Sequence, residues 1–307
     1  MAFVLLSRKS QDLIQFISMS EDRSQEEILA DLERLGLKRN SAKAPAESSQ
    51  KLLAAREPAP HWAWLFVARG SVWLMAVAAL SVGSGWIFKG QLPEPQQIIP
   101  SLLGDPKQVE TDRGAFSLTH AGSTYEVTPR AEYEIFGVVV SHNNIHSITD
   151  SYHDKNSVDV KDLCLVWGKN VQSNNYHQIK FWSAPWTCWF RTQSSDVYGQ
   201  FQTTQFSNTH IIGADAKLID AVKSARIGDQ IRMRGLLVDY SSASGFQRKT
   251  SLVRSDTGNG ACEVLFVESF ETLKRATPFW YLLFGLGFWL LGAAVVLRAL
   301  AFVQGRV

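Results

Sequence analysis

The sequence predicts a membrane-anchored α+β protein in which two transmembrane helices flank a small, mainly-β domain. Three observations lead there. Two apolar runs of spanning length carry no charge. The stretch between them reads as β-branched and aromatic runs separated by turn residues. One amphipathic helical segment interrupts that series near its middle.

The first transmembrane helix is placed at 62–89. Its centre, Gly70 to Phe88, reads GSVWLMAVAALSVGSGWIF between Arg69 and Lys89. Nineteen residues rise about 28 Å as a helix, close to the hydrocarbon thickness of a bilayer. Trp62, Trp64 and Trp86 stand near its two ends, where indoles suit the membrane interface. The second transmembrane helix, 278–300, opens with Pro278, Trp280 and Tyr281 and stays apolar to Arg298; the tail is 301–307. Small residues, Ala79 and Gly83 in the first run and Gly285, Gly292 and Ala293 in the second, are the expected contact between helices.

Residues 1–39 read as short amphipathic helices forming an arm. Ser24-Gln25-Glu26-Glu27 is a capping box, and Ile28, Leu29, Leu32 and Leu35 share a face. Residues 40–61, rich in Ala, Ser, Pro and charge, read as a linker. Lys51, Arg56 and Arg69 before the first span, and Arg298 and Arg306 at the other end, place both termini in the cytoplasm. The central domain is then extracytoplasmic.

A connector and leading segment, 90–132, precede the β domain, 133–274. Five strands are expected: Tyr133–Ser141, Asp162–Trp167, Trp186–Thr192, Asp229–Tyr240 and Cys262–Phe270. A helix from Asp215 to Arg226 falls between the third and fourth, with Leu218, Ile219 and Val222 on its apolar face. Val138 with Val140, Met233 with Gly235, and Val264 with Phe266 mark the packing face of three strands. The order resembles the OB-fold, a five-stranded Greek-key barrel with a helix after its third strand. Ile227-Gly228-Asp229-Gln230-Ile231 resembles the Gly-Asp turn into the fourth strand of such domains. Gly137 is the expected bend in the first strand. The likeness is one of fold, and OB-folds host many functions.

The densest aromatic segment, Phe181 to Phe190, offers Trp182 and Trp189 as ligand-binding residues, with Arg191 beside Trp189 on the same side. Trp186, Cys188 and Phe190 fall on the opposite, core face. Arg232 and Arg234 alternate along the fourth strand and can meet an anion. His142, His146 and His153, with Asp150 and Asp154, are the candidate metal ligands in a polar loop. Asp256-Thr257-Gly258 lacks the buried strand and the second motif of an aspartic protease and reads as a turn. Cys164, Cys188 and Cys262 leave the disulfide pairing open, and no His/Cys spacing marks a thiol nucleophile. No catalytic residue is assigned and no cofactor is called for.

The reading favoured by these features is a two-pass membrane protein presenting an extracytoplasmic OB-like binding or assembly module. Its partners are the lipid bilayer and a protein, or a second copy of the chain met through the transmembrane helices. A net charge of +2 over 307 residues does not mark a nucleic-acid binder. Two alternatives stand beside it: a membrane-bound metal enzyme using the His loop, and a cytoplasmic-facing OB domain that binds nucleic acid.

Overall fold

The computed structural model describes residues 61–303, apart from residue 146, residues 148–149, 151–152, 154–155 and 185, and residues 257–260. The arm, the linker up to residue 60 and the 304–307 end of the tail lie outside the described residues, as do His146, Asp154, Thr257 and Gly258. The architecture is α+β: a mostly-β domain flanked by two long apolar helices, α1 (His61–Phe88) and the final helix (Pro278–Val303).

Both helices are long and apolar enough to cross a membrane, and only 22% and 17% of their most apolar windows are buried. Leu80, Trp86 and Trp289 are among the large apolar side chains left facing outward. A helix apolar all round and bare over most of its surface needs lipid around it. The two helices pack antiparallel through small residues. A Cβ at Gly85 would fall 2.7 Å from Phe284 Cβ, and one at Gly287 would fall 2.7 Å from Val82. Ser71, Ala78 and Gly85 on one helix, and Gly287, Ala294 and Ala301 on the other, are buried. Both sets recur every seventh residue, the period of a left-handed helix pair. The expected contact residues are off by one or two positions: Gly83, Gly285 and Gly292 have nothing within 4 Å. At about 100° per residue, so small an error turns a side chain away from its partner.

The β domain runs β1 (Lys107–Glu110), β2 (Phe116–His120), β3 (Ser123–Asn144), β4 (Asp159–Val166), α2 (Lys169–Gln172), β5 (Lys180–Ala184), β6 (Thr187–Arg191), α3 (Ser195–Gln200), β7 (Phe206–Ile212), α4 (Ala216–Lys223), β8 (Gln230–Ser242), β9 (Gln247–Arg248) and β10 (Glu263–Lys274); the final helix is α5. β3 is the spine. Along most of its length it pairs antiparallel with β8, and from Val138 onward with β4. β4 pairs with β7, β7 runs parallel to β10, and β10 pairs with β8. The ladder therefore returns to β3. β3 changes register at Pro129–Ala131 and at Val139–Ser141. These two irregularities bend it, and the first coincides with a proline that has no N–H to give a ladder. Gly137 pairs regularly with Ile231 and is not the bend; a Cβ there would sit 3.2 Å from Leu165 Cβ, so its role is close packing.

The interior is filled by Tyr133, Ile135 and Val139 of β3, Leu163 and Leu165 of β4, Ile211, Ile231, Met233, Leu265 and Val267. α4 covers it with Val222, Leu218 and Ile219, capped by Asp215, whose carboxylate accepts from Leu218 N–H at 2.8 Å. Val138, Val140, Val264 and Phe266 lie in two other apolar clusters, so the strand faces expected from alternation are reversed for β3 and β10. Both faces are apolar there, and a period of two cannot say which is inner.

The third strand departs most from expectation. It is Phe206–Ile212, whereas Thr187–Arg191 pairs with Lys180–Ala184 in a separate two-stranded sheet. Residues 167–205 are an insertion between β4 and β7, folded onto a second apolar cluster. Val171, Tyr176, Ile179, Phe181 and Phe190 pack there with Leu92, Ile98, Ile99 and Leu102 of the connector and Leu273 at the end of β10. The connector thus belongs to the domain core.

The Gly-Asp turn joins the sheet to the membrane helices. Gly228 has φ +86, and a Cβ would meet Gln91 O at 2.5 Å and Ala276 Cβ at 2.6 Å. Asp229 is buried and accepts from Arg226 N–H (3.0 Å), Ala276 N–H (2.9 Å) and the Arg275 guanidinium (2.8 Å).

Candidate functional site

The β5–β6 hairpin has two unlike faces. Inward, Phe181 and Phe190 pack among Phe201 and Phe206, and Cys188 is bonded to Cys164 of β4 with Cα atoms 5.9 Å apart. Ser183 stands 2.9 Å from Ser141 of β3. The bond between Cys164 and Cys188 closes the pairing that the sequence left open, and Cys262 is the free cysteine. Outward, Trp182 and Trp189 are cross-strand partners stacked with centroids 6.4 Å apart and planes 18° from parallel. They are 36% and 52% exposed.

Two residues along the same face, Lys180 is directly opposite Arg191, both exposed. Neither forms an ion pair with a carboxylate among the described residues. Like charges facing each other across a ladder destabilise it unless an anion bridges them. Beside this rung lies an open depression of about 510 Å³ lined by Gln178, Lys180, Arg191, Thr192, Gln193 and Ser194. The structure thus brings Trp182, Trp189 and Arg191 together and adds Lys180, which only the β5–β6 register reveals.

Arg232 and Arg234 are elsewhere, on β8, whose neighbours are β3 and β10. Arg232 is already engaged: its guanidinium donates twice to Glu134, at 2.8 and 2.6 Å, with Glu271 3.9 Å away. Arg232, first through that hydrogen bonding and then through its charge, holds the Glu134 carboxyl below the usual carboxylate range, with Lys107 adding to it. Arg234 is exposed.

Of the candidate metal ligands, His142 is largely buried, and burial together with nearby Lys161 lowers its pKa to about 4. His153 bonds Asp150 at 2.9 Å and lies against Trp186, with ring centroids 4.1 Å apart. His146 lies outside the described residues. No group of three or more His, Cys, Asp or Glu able to hold a metal occurs among the described residues.

Beneath the hairpin is a buried polar row that the sequence does not announce. His210 Nδ1 is 2.6 Å from Asp162 Oδ1, and its Nε2 is 3.2 Å from the Asn208 amide. The same amide nitrogen is 3.7 Å from the Cys262 sulfur, which in turn lies 3.6 Å from Trp186 O. A cysteine, a histidine and an aspartate therefore do meet, although no spacing marks them. Burial alone would lower the His210 pKa; the charge and hydrogen bond of Asp162 outweigh it and raise it to about 9. The raised pKa favours the imidazolium, whose two N–H groups both donate, so in that form the Asn208 amide presents its oxygen rather than its nitrogen to Nε2. The row is closed from outside by Trp186, whose ring stacks under Arg248 at 4.3 Å. Trp186 itself has φ +61 in the hairpin turn.

Lys161 is a further buried charge-bearing group. Its amine donates to Lys223 O at 3.0 Å and Ala225 O at 2.6 Å, the carbonyl end of α4. Burial lowers its pKa to about 7. This is a structural cap on the helix that covers the interior.

No protein-family model, curated protein or solved structure matches this chain.

Proposed function

We propose that the chain is a two-pass membrane protein whose β domain is an OB-like barrel serving as an extracytoplasmic binding module, with the outer face of the β5–β6 hairpin as its anion-binding surface. The observation that carries the reading is the Lys180–Arg191 rung, two cations in register with no carboxylate partner among the described residues, beside two stacked, exposed indoles. The pairing order β3-β4-β7-β10-β8, with α4 between β7 and β8, supports the OB-like reading. The Cys164–Cys188 bond supports an extracytoplasmic domain, because disulfides persist in oxidising compartments. Trp182, Trp189 and Arg191 are the ligand-binding residues with Lys180; Arg232 and Arg234 form a separate, partly neutralised surface.

Two measurements test this. In a Cys262→Ser background, single cysteines at Ser48 and Gln304 are expected to label from the cytoplasmic side and one at Asn174 from the opposite side. Cytoplasmic labelling at Asn174 would overturn the orientation. Titration of the detergent-purified chain with inorganic polyphosphate is expected to show salt-sensitive binding that Lys180→Glu with Arg191→Glu weakens at least about tenfold. Binding unchanged by that pair of substitutions removes the hairpin as the site.

A further inference from the structure

We infer that the anion taken by the hairpin face is the phosphodiester headgroup of an anionic phospholipid in the same bilayer that α1 and α5 enter, so that the 167–205 insertion docks on the membrane surface. This rests on the reading of that face as an anion-binding surface.

The first support is position. The insertion is tied to the chain where it leaves α1: the Tyr176 hydroxyl donates to Pro93 O, and His177 Nε2 is 3.2 Å from the same oxygen. Pro93 is five residues past Phe88, the end of α1, so the two are separated by at most about 18 Å. Leu92 and Leu273, one near each membrane helix, pack in the cluster that holds Phe181 and Phe190. The hairpin runs outward from this junction. Its open end, Lys180 with Arg191, begins three residues after His177, which touches Pro93, and its turn at Trp186 reaches His210 and Phe246 on the far side. The two cations therefore occupy the end nearer the bilayer.

The second support is charge. The insertion carries Lys169, Lys180 and Arg191 against a single acid, Asp196. Lys169, like the other two cations, is exposed. An excess of basic side chains beside a membrane is drawn to anionic headgroups within a Debye length of about 8 Å.

The third support is the pairing of chemistries. Trp182 and Trp189 offer amphipathic rings suited to the headgroup level. Polar groups of Gln178, Thr192, Gln193 and Ser194 line the adjoining depression of about 510 Å³. Stacked indoles next to a cation pair and a polar hollow match a headgroup with its glycerol backbone better than they match a compact free ion.

The test uses the full chain in nanodiscs of phosphatidylcholine alone, or of phosphatidylcholine mixed with phosphatidylglycerol. One lipid at a time carries bromine as a quencher, and the signal is the difference between the chain and its Trp182→Phe, Trp189→Phe variant. That difference isolates the two hairpin indoles from those in the membrane helices. Brominated phosphatidylglycerol is expected to quench them, brominated phosphatidylcholine is not, and Lys180→Glu with Arg191→Glu is expected to abolish the quenching. At roughly fivefold per basic residue, the charge reversal should weaken lipid contact about 25-fold or more. Retention of the Cys164–Cys188 bond by mass spectrometry shows that each variant keeps its hairpin in place. Absence of quenching while polyphosphate still binds refutes the lipid and leaves the anion site standing. Absence of both refutes the anion site as well.

Discussion

Replacing Asp229 by Asn tests the joint between the sheet and the second membrane helix. The carboxylate is buried and accepts three hydrogen bonds, two on Oδ2 (Arg226 N–H and the Arg275 guanidinium) and one on Oδ1 (Ala276 N–H). An amide has one acceptor oxygen. If it keeps the two Oδ2 partners, its NH2 confronts Ala276 N–H; if it keeps Ala276, it confronts the other two. At least one buried donor loses its acceptor, at about 1–3 kcal/mol, and the surviving bonds lose charge assistance, at about 1 kcal/mol in total. Arg275 is 41% exposed and recovers part of its loss from water, so its ion pair is discounted. The expected destabilisation of Asp229→Asn is about 3 kcal/mol, a large share of the about 5–15 kcal/mol that holds a domain. Arg275→Gln should cost about 1 kcal/mol, because it leaves both backbone donors satisfied. Urea titration of the full chain in detergent, followed by near-UV circular dichroism, measures both. A loss below about 1 kcal/mol for Asp229→Asn, or equal losses for the two variants, would refute the joint.

Three other outcomes follow from the same structure. Val222→Asp places a carboxylate in the interior and should cost several kcal/mol, about 3 or more, whereas Lys223→Asp on the exposed side of α4 should cost under about 1 kcal/mol; equal tolerance in thermal melts would remove α4 as a cover. Gly85→Leu should prevent α1 and α5 from closing on each other and abolish a cross-link between cysteines placed at Ser71 and Ala294, buried positions of the shared seam that already carry a Cβ, while Gly83→Leu, with open space around it, should leave the cross-link intact. Because the His210 pKa is raised from 6.5 to about 9, its contribution to stability is full below about pH 6.5 and is lost as pH climbs to 9. Lys161, lowered to about 7, works in the opposite sense over an overlapping window, so the measurement is the slope of stability against pH in the chain minus that in His210→Gln. A positive difference across pH 6.5–9 would contradict the Asp162–His210 pair.

The legible parts of the fold are those where one physical demand dominates. Uncharged runs such as Gly70–Phe88 have few alternatives to a lipid-facing helix, and the capped, amphipathic α4 was visible from Asp215, Leu218 and Val222. Four of the five strands in the ladder were visible as apolar runs. Phe206–Ile212 was missed because it reads FSNTHII: Asn208 and His210 on its outer face are polar, and they are buried only because the hairpin covers them. Trp186–Thr192 has higher β propensity and took its place in the expected order. That Trp189 and Arg191 share a face was legible from alternation within one strand; Trp182 joins that face through the β5–β6 pairing. Lys180 was not legible, because its meaning depends on which residue stands across the ladder. Asp162 and His210 are 48 positions apart, a distance at which sequence spacing carries no signal.

The covered strand also bears on where a ligand can bind. In an OB-like barrel, the surface of the second and third strands is the usual place for one. Under the proposed OB-like reading those strands correspond to β4 and β7, whose outer row holds Asp162, Asn208 and His210. Such a row would be a plausible polar site if it were open. It is instead turned on itself, His210 with Asp162 at 2.6 Å and Asn208 with His210 at 3.2 Å, and roofed by Trp186 and Cys188. The Cys164–Cys188 bond spans 24 residues, a loop whose closure is worth about 3.5 kcal/mol in a chain-entropy account, and it fastens the roof to β4. With the hairpin fastened there and the Asp162–His210 pair buried under it, exposing the row would take a polar pair out of its packed surroundings. The proposed site on the outer face of the hairpin follows from this, since its two indoles are exposed and its two cations have no carboxylate partner among the described residues.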